Sequence, residues 1–134
     1  MVEDRLPFSI LSKVRRTGSD LLWRPGDVPS VIDAVEKAGG VVRSVVAQFD
    51  TPDGTLEPVH TQRALGLRPR GETEAEYAAR SVVWARAAFA ELMREDFADI
   101  VRRQPDFLDD LAPEDAVAQY LSFILGLSEP EHYL

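Results

Sequence analysis

Cysteine is absent from this 134-residue chain, which excludes disulfides, thiol nucleophiles and thiolate metal sites. Asparagine is absent too, and lysine nearly so, with two against 13 arginines. Together with 15 alanines this is the residue usage of a GC-rich bacterial genome. There are only two histidines, His60 and His132, with no His-x-x-x-His spacing. A zinc site therefore lacks its ligands. No run of 18 apolar residues occurs, so no membrane-spanning helix is expected. The start, Met1-Val2-Glu3-Asp4-Arg5, is acidic where a secretory leader is basic, and no apolar segment follows it. The protein is accordingly expected in the cytoplasm. No nucleophile elbow, phosphate-binding glycine loop or dinucleotide fingerprint appears. Gly39-Gly40 leads into a strand and not into a helix N-terminus, which argues against a phosphate cradle. The chain is thus expected to have no catalytic residue, no cofactor and no metal, and not to be an enzyme.

What is present is acid. The net charge is −8, and it is uneven. Residues 1–67 hold nine acidic and eight basic residues, whereas residues 68–134 hold 14 and seven. Nucleic acid is excluded as a ligand on this ground, because its binding rests on Lys and Arg neutralising phosphates. An acidic half steers a basic protein partner toward itself, or does no more than keep the protein soluble.

The length fits a single domain that buries roughly two-thirds of its unfolded surface. Residues 6–16 read as a first helix stopped by Gly18, and Leu21-Leu22-Trp23 as a short apolar clip. Asp27 to Ala38 reads as a second helix. It has Asp27 as N-cap, Pro29 in the first turn, Gly39-Gly40 as the stop, and a stripe of Val28, Val31, Ile32 and Val35. Val41 to Phe49 is rich in β-branched residues and reads as a strand. Thr51-Pro52-Asp53-Gly54 is a turn, and Thr55 to Thr61 returns as its partner, at an edge because of Pro58. Residues 63–71 read as a loop.

A long helix then runs from Glu74 to about Phe97, with a continuation to Arg103 open. Thr73 and Glu76 form its capping box, and Glu72, Glu74 and Glu76 sit at the positive end of its dipole. Phe107, Leu108 and Leu111 suit one helical turn. Pro113 opens a last helix through Val117, Tyr120, Leu121 and Ile124, ended by Gly126. Ser128 to Leu134 reads as a mobile tail. The expected fold is α+β: a small antiparallel sheet packed against several helices, with a helical C-terminal extension over residues 104–127.

Paired carboxylates for acid–base work need one desolvated member. Asp109-Asp110 and Glu114-Asp115 fall in a loop and a helix first turn, where acidic residues are favoured by the dipole alone. Among the aromatics, Trp84 and Tyr77 lie at core spacing. Trp23, beside Arg24-Pro25 in a connection, is the better surface anchor.

Three segments carry a likeness. These are Leu21-Leu22-Trp23-Arg24-Pro25-Gly26-Asp27-Val28 leading into Val31 to Gly39; Asp53-Gly54-Thr55-Leu56-Glu57-Pro58; and Gly71-Glu72-Thr73-Glu74-Ala75-Glu76-Tyr77, followed by Arg80-Ser81 and Ala85-Arg86. The order helix, strand, turn, strand, acidic loop and long helix, over about residues 20–93, resembles a bacterial immunity-protein family of polymorphic-toxin and colicin-like systems. Members often carry a Gly-Gly-Asp-Val-Tyr-like run on the first strand, where this chain has Arg43-Ser44-Val45-Val46-Ala47-Gln48-Phe49. They often end the second strand in an Asn-Trp-Tyr-like run, where this chain has Thr61-Gln62-Arg63-Ala64.

The resemblance implies a non-catalytic binder that blocks a cognate toxin by occlusion. Against a basic nuclease toxin, acidic residues would stand in for phosphates. The expected contact residues are Trp23, the hairpin acids Asp50, Asp53 and Glu57, and the helix-start acids Glu72, Glu74 and Glu76, both clusters flanking one loop. Two other readings stay open. One is an acidic, homodimeric secretion chaperone with an unfolded client. The other is a small enzyme, for which the mark would be a cleft collecting His60 with two carboxylates such as Asp50 and Glu57.

Overall fold

The computed structural model describes residues 1–52, 54–104 and 110–130; Asp53, His132 and the segment holding Phe107, Leu108 and Asp109 lie outside them. The architecture is α+β, as the sequence patterns imply. Six strands among the described residues form one antiparallel sheet: β1 (Arg15–Thr17), β2 (Asp20–Trp23), β3 (Val41–Thr51), β4 (Gly54–Leu56), β5 (Gln62–Ala64) and β6 (Leu121–Ser128). The order is β1-β2-β6-β3-β4, with β5 following β4 along the same edge of β3. The helices are α1 (Phe8–Leu11), α2 (Val28–Lys37), α3 (Glu74–Leu92), α4 (Phe97–Arg102) and α5 (Pro113–Tyr120).

The core lies between helices and one sheet face. Trp23 from β2, Val45, Ala47 and Phe49 from β3, and Leu121, Phe123 and Leu125 from β6 share one buried cluster with Val31, Ile32 and Val35 of α2 and with Val82, Ala85, Ala88 and Leu92 of α3. Alternation along β3 and β6 puts every second residue on this face. Phe123 sits at its centre, edge-on to Phe89 at 5.0 Å and to Phe97 at 6.5 Å between ring centroids.

Helix α2 forms as its pattern requires, burying Val28, Val31, Ile32 and Val35. Asp27 occupies the N-cap position without capping through its side chain. A 3-10 turn, Pro25–Asp27, precedes the helix and holds Asp27 in helical conformation. Its carboxylate meets Lys13 Nζ at 3.5 Å instead. The capping box of α3 is present, with Glu76 N donating to Thr73 Oγ1 at 3.1 Å and Thr73 N to Glu76 Oε1 at 3.0 Å.

Several expectations are corrected. The first helix breaks into a 3-10 turn, Val2–Arg5, and the short α1, and its last residues become β1. Leu21-Leu22-Trp23 is no clip. It is part of an interior strand buried on both faces, which explains three consecutive apolar residues. Helix α3 stops at Leu92, and α4 restarts beyond a corner where Asp96 Oδ1 accepts Asp99 N at 3.0 Å. The return strand is split by Pro58 and a 3-10 turn into β4 and β5, both on the open edge of β3.

The largest correction is at the C-terminal end. The helix from Pro113 ends at Tyr120, and Leu121–Ser128 is a strand, not helix. It runs between β2 and β3, pairing with β3 from Val41↔Ser128 to Phe49↔Leu121. A short apolar run does not distinguish helix from buried strand by period; here the unpaired backbone of two neighbouring strands decides. Ser128, where a mobile tail was expected to start, is the last residue of β6. Glu129 takes both guanidinium nitrogens of Arg5, at 2.7 and 3.1 Å, and residues 131–134 lie outside those described.

Candidate partner-binding surface

The residues singled out by sequence do not converge. Trp23 is fully buried, with its indole Nε1 donating to the Ile10 carbonyl at 3.2 Å. It is a core residue and is removed from the contact surface: the connection in which it was read is an interior strand. Tyr77 is core as expected, its hydroxyl donating to the Gly66 carbonyl at 2.7 Å.

The two acidic clusters lie at opposite ends of β3. Near its start, Val42 N donates to Ser81 Oγ of α3 at 3.1 Å. The hairpin follows Thr51, nine residues further, or roughly 30 Å of extended strand. They therefore do not flank one loop. The helix-start acids are also largely answered from within. Arg80 grips Glu72 through two nitrogens, at 2.8 and 2.9 Å, which holds the Glu72 carboxyl below the usual glutamate range and raises the Arg80 guanidinium. The two hydrogen bonds with Thr73 lower Glu76. Glu74 stands beside Glu36, Gly39 and Gly40 at a shallow depression.

At the hairpin end, Asp50 reaches across β6 and β2 to Arg15 at 2.7 Å. Glu57 turns the other way and accepts from the Gln62 amide at 2.8 Å. The basic Lys13 and Arg15 serve internal pairs, with Asp27 and Asp50. Arg24 donates to the Ala118 and Gln119 carbonyls at the end of α5, and its guanidinium is lowered by burial first and by Arg15 second.

Glu57 belongs to a groove that the sequence did not reveal. The end of β4 and its connection to β5 supply Leu56, Glu57, Pro58 and His60, and the corner from α3 into α4 supplies Glu95, Asp96, Asp99 and Ile100, with Arg103 and Gln104 following at the end of α4. The groove has a volume of about 510 Å³. His60 Nε2 stands 3.6 Å from Glu95 Oε2 across it. Arg63 Nη2 on β5 meets Glu91 Oε1 on α3 at 2.7 Å, which ties the two walls together. Reading α3 as unbroken hid the second wall. The available signal was Asp96 followed three residues later by Asp99, a helix start just before the apolar pair Ile100-Val101.

This groove does collect His60 with two carboxylates, Glu57 and Glu95, although Asp50 lies elsewhere. Acid–base chemistry near neutral pH requires a carboxyl moved by desolvation. The side chains of His60 and Glu95 are 58% and 36% exposed, so solvent screens both. Among the described residues no three His, Asp or Glu side chains are placed to hold a metal ion, and no helix is long and apolar enough to cross a membrane. What the arrangement offers is a charged recess with a partly apolar floor, suited to binding.

No protein-family model, no curated protein and no solved structure matches this chain.

Proposed function

We propose that this protein is a cytoplasmic immunity protein that binds a cognate bacterial toxin domain and blocks it by occlusion. The observation that carries the reading is the groove between the β4–β5 connection and the α3–α4 corner, which gathers Glu57, Glu95, Asp96 and Asp99, of which only Asp99 is ion-paired with arginine among the described residues. Such a surface complements a basic partner and accelerates encounter with it. The resemblance over residues 20–93 supports the same reading, since α2, β3, the turn, β4 and α3 follow in the order that it implies.

The test is survival. The protein encoded immediately upstream is expressed in a bacterial host with and without this chain. Toxicity that this chain relieves, with co-purification of the pair, is the expected result. A harmless neighbour, or one that kills regardless, overturns the proposal.

A second reading, an acidic secretion chaperone, is favoured by one feature. Val83 is 67% exposed on the outer face of α3, among the exposed Ala79, Ala87 and Ala90. Such a chaperone would be a homodimer by light scattering and would bind an unfolded client in place of a folded toxin.

A further inference from the structure

We infer that the outer face of α3 is an interface between two copies of this chain. The α3 of a second copy lies antiparallel across it, and each copy seats its Met93 in an apolar groove of the other. The inference goes beyond the immunity reading and does not rest on it. The choice between toxin and client is made by what the protein binds, not by its pairing.

Three features of α3 lead here. Val83 and Met93 stand on its outer side, 67% and 44% exposed. Ala79, Ala87 and Ala90 are exposed on the same side as Val83, at the spacing that puts residues on one helix face. Beside the N-terminal half of this face runs an apolar groove of about 400 Å³. Gly39 and Gly40, just beyond α2, line it with Ala75, Ala78 and Val82 of α3 and with Pro130. The face ends in charge, with Glu76 at one end and Arg94 at the other. Met93 closes α3 in helical conformation, and Arg94 N donates to the Glu91 carbonyl at 3.1 Å, so Arg94 continues the last turn. Glu76 has one carboxylate oxygen on Thr73 N, and neither Glu76 nor Arg94 has an ion-pair partner among the described residues.

Two-fold symmetry sorts these features into matched pairs, because in an isologous contact residue i meets j wherever j meets i. Glu76 and Arg94 are separated by about five turns, or roughly 27 Å, and so lie on one line along the helix. An axis crossing α3 at the level of Ala85 sets Glu76 of each copy opposite the partner's Arg94. It also sets Val83 against the partner's Ala87 and Ala79 against the partner's Ala90. The alanines let the helix axes approach to about 8 Å, the close end of the usual range. The same axis brings Met93 to the level of the partner's Tyr77 and to the flank that carries the groove, between Ala75 and Ala78. An unbranched thioether is the side chain best able to fill such an irregular space. Of the flanking charges, Arg80 comes beside the partner's Glu91. Arg86 comes beside its own counterpart, but each is already held by Asp33 and Glu36, at 2.7 and 3.1 Å. Acid, base, recess and the side chain that fills it all occur on one face, which is why the occupant is a second copy.

Sedimentation velocity over a concentration series from micromolar to millimolar is the test, because a single helix pair buries less than about 1,200 Å² and dissociates on dilution. A monomer–dimer equilibrium is expected. Val83→Glu puts two carboxylates into the contact and should raise the dissociation constant roughly a hundredfold. Arg94→Glu should raise it roughly tenfold, and the Glu76→Arg/Arg94→Glu exchange should return it to within about threefold of wild type. All three positions are exposed, and thermal unfolding checks that each variant is folded. The contact itself is read by magnetic resonance in a mixture of isotope-labelled and unlabelled protein. Magnetisation should pass from the Met93 methyl of one copy to the Ala75 and Ala78 methyls of the other. A chain that stays monomeric throughout the series overturns the inference. So does a dimer that Val83→Glu leaves intact, one without transfer from Met93 to Ala78, or an exchange variant no tighter than Arg94→Glu.

Discussion

Replacing Trp23 separates a core role from a contact role. The indole is fully buried on β2, opposite Phe123 on β6, and its Nε1 donates to the Ile10 carbonyl at 3.2 Å. Trp23→Ala removes the ring from a packed interior, which costs about 3–5 kcal/mol for an aromatic. Trp23→Phe keeps most of the apolar volume but leaves the Ile10 carbonyl without its donor, at a cost of about 1–3 kcal/mol. A domain of this size has only about 5–15 kcal/mol in total, so the alanine variant loses roughly a fifth or more of its stability.

Urea unfolding followed by far-ultraviolet circular dichroism is the assay. With a slope of about 2 kcal/mol per molar, the alanine variant's midpoint falls by roughly 1.5–2.5 M and the phenylalanine variant's by roughly 0.5–1.5 M. Affinity for a partner, corrected for the folded fraction, should not change in either. Wild-type stability in Trp23→Ala together with lost partner binding would refute the reasoning and return Trp23 to the surface.

Two further expectations follow from local geometry. A Cβ at Gly126 on β6 would lie 2.2 Å from Ser44 Oγ on β3. Gly126→Ala should therefore cost about 1–3 kcal/mol, and Ser44→Ala in the same chain should restore most of it, because the next contact, at 3.4 Å, is ordinary. A neutral Gly126→Ala in urea would contradict the β3–β6 register. At the start of α3, Thr73→Ala should cost about 1 kcal/mol through loss of the cap. Glu76 is lowered in the folded protein by its bonds to Thr73, so its stabilisation is present above the ordinary value of 4.5 and is lost as pH falls through the folded value. Glu76→Gln should thus be less stable than wild type at pH 7, with the gap closing in melts at pH 3. A gap of undiminished size at pH 3 would show that the carboxylate charge is not its source.

Much of the middle of the chain was legible before any coordinates. The stripe of α2, the β-branched run of β3, the turn around Gly54 and the capping box of α3 are each encoded by residues close together in sequence. Local sterics and the backbone's need for hydrogen bonds suffice to specify them. The candidate site was legible only in part. Glu57 was identified, but its companions Glu95 and Asp96 lie on a helix corner almost forty residues away. Asp50, a near neighbour in sequence, points instead to Arg15.

The sheet's centre belongs to the tertiary structure. Leu121 to Leu125 satisfies a helical period as well as a strand, and Arg15-Arg16-Thr17 looks like a charged helix end. Neither segment contains what chooses its conformation: for Leu121 to Leu125 that is the row of free backbone groups on β2 and β3, brought alongside from 70 to 100 residues away, and for Arg15 to Thr17 it is β2, paired across the turn at Gly18. The same holds for the groove. A local pattern can place carboxylates at a helix start or beside a turn, but only folding brings Glu57 into one recess with Glu95 and Asp96.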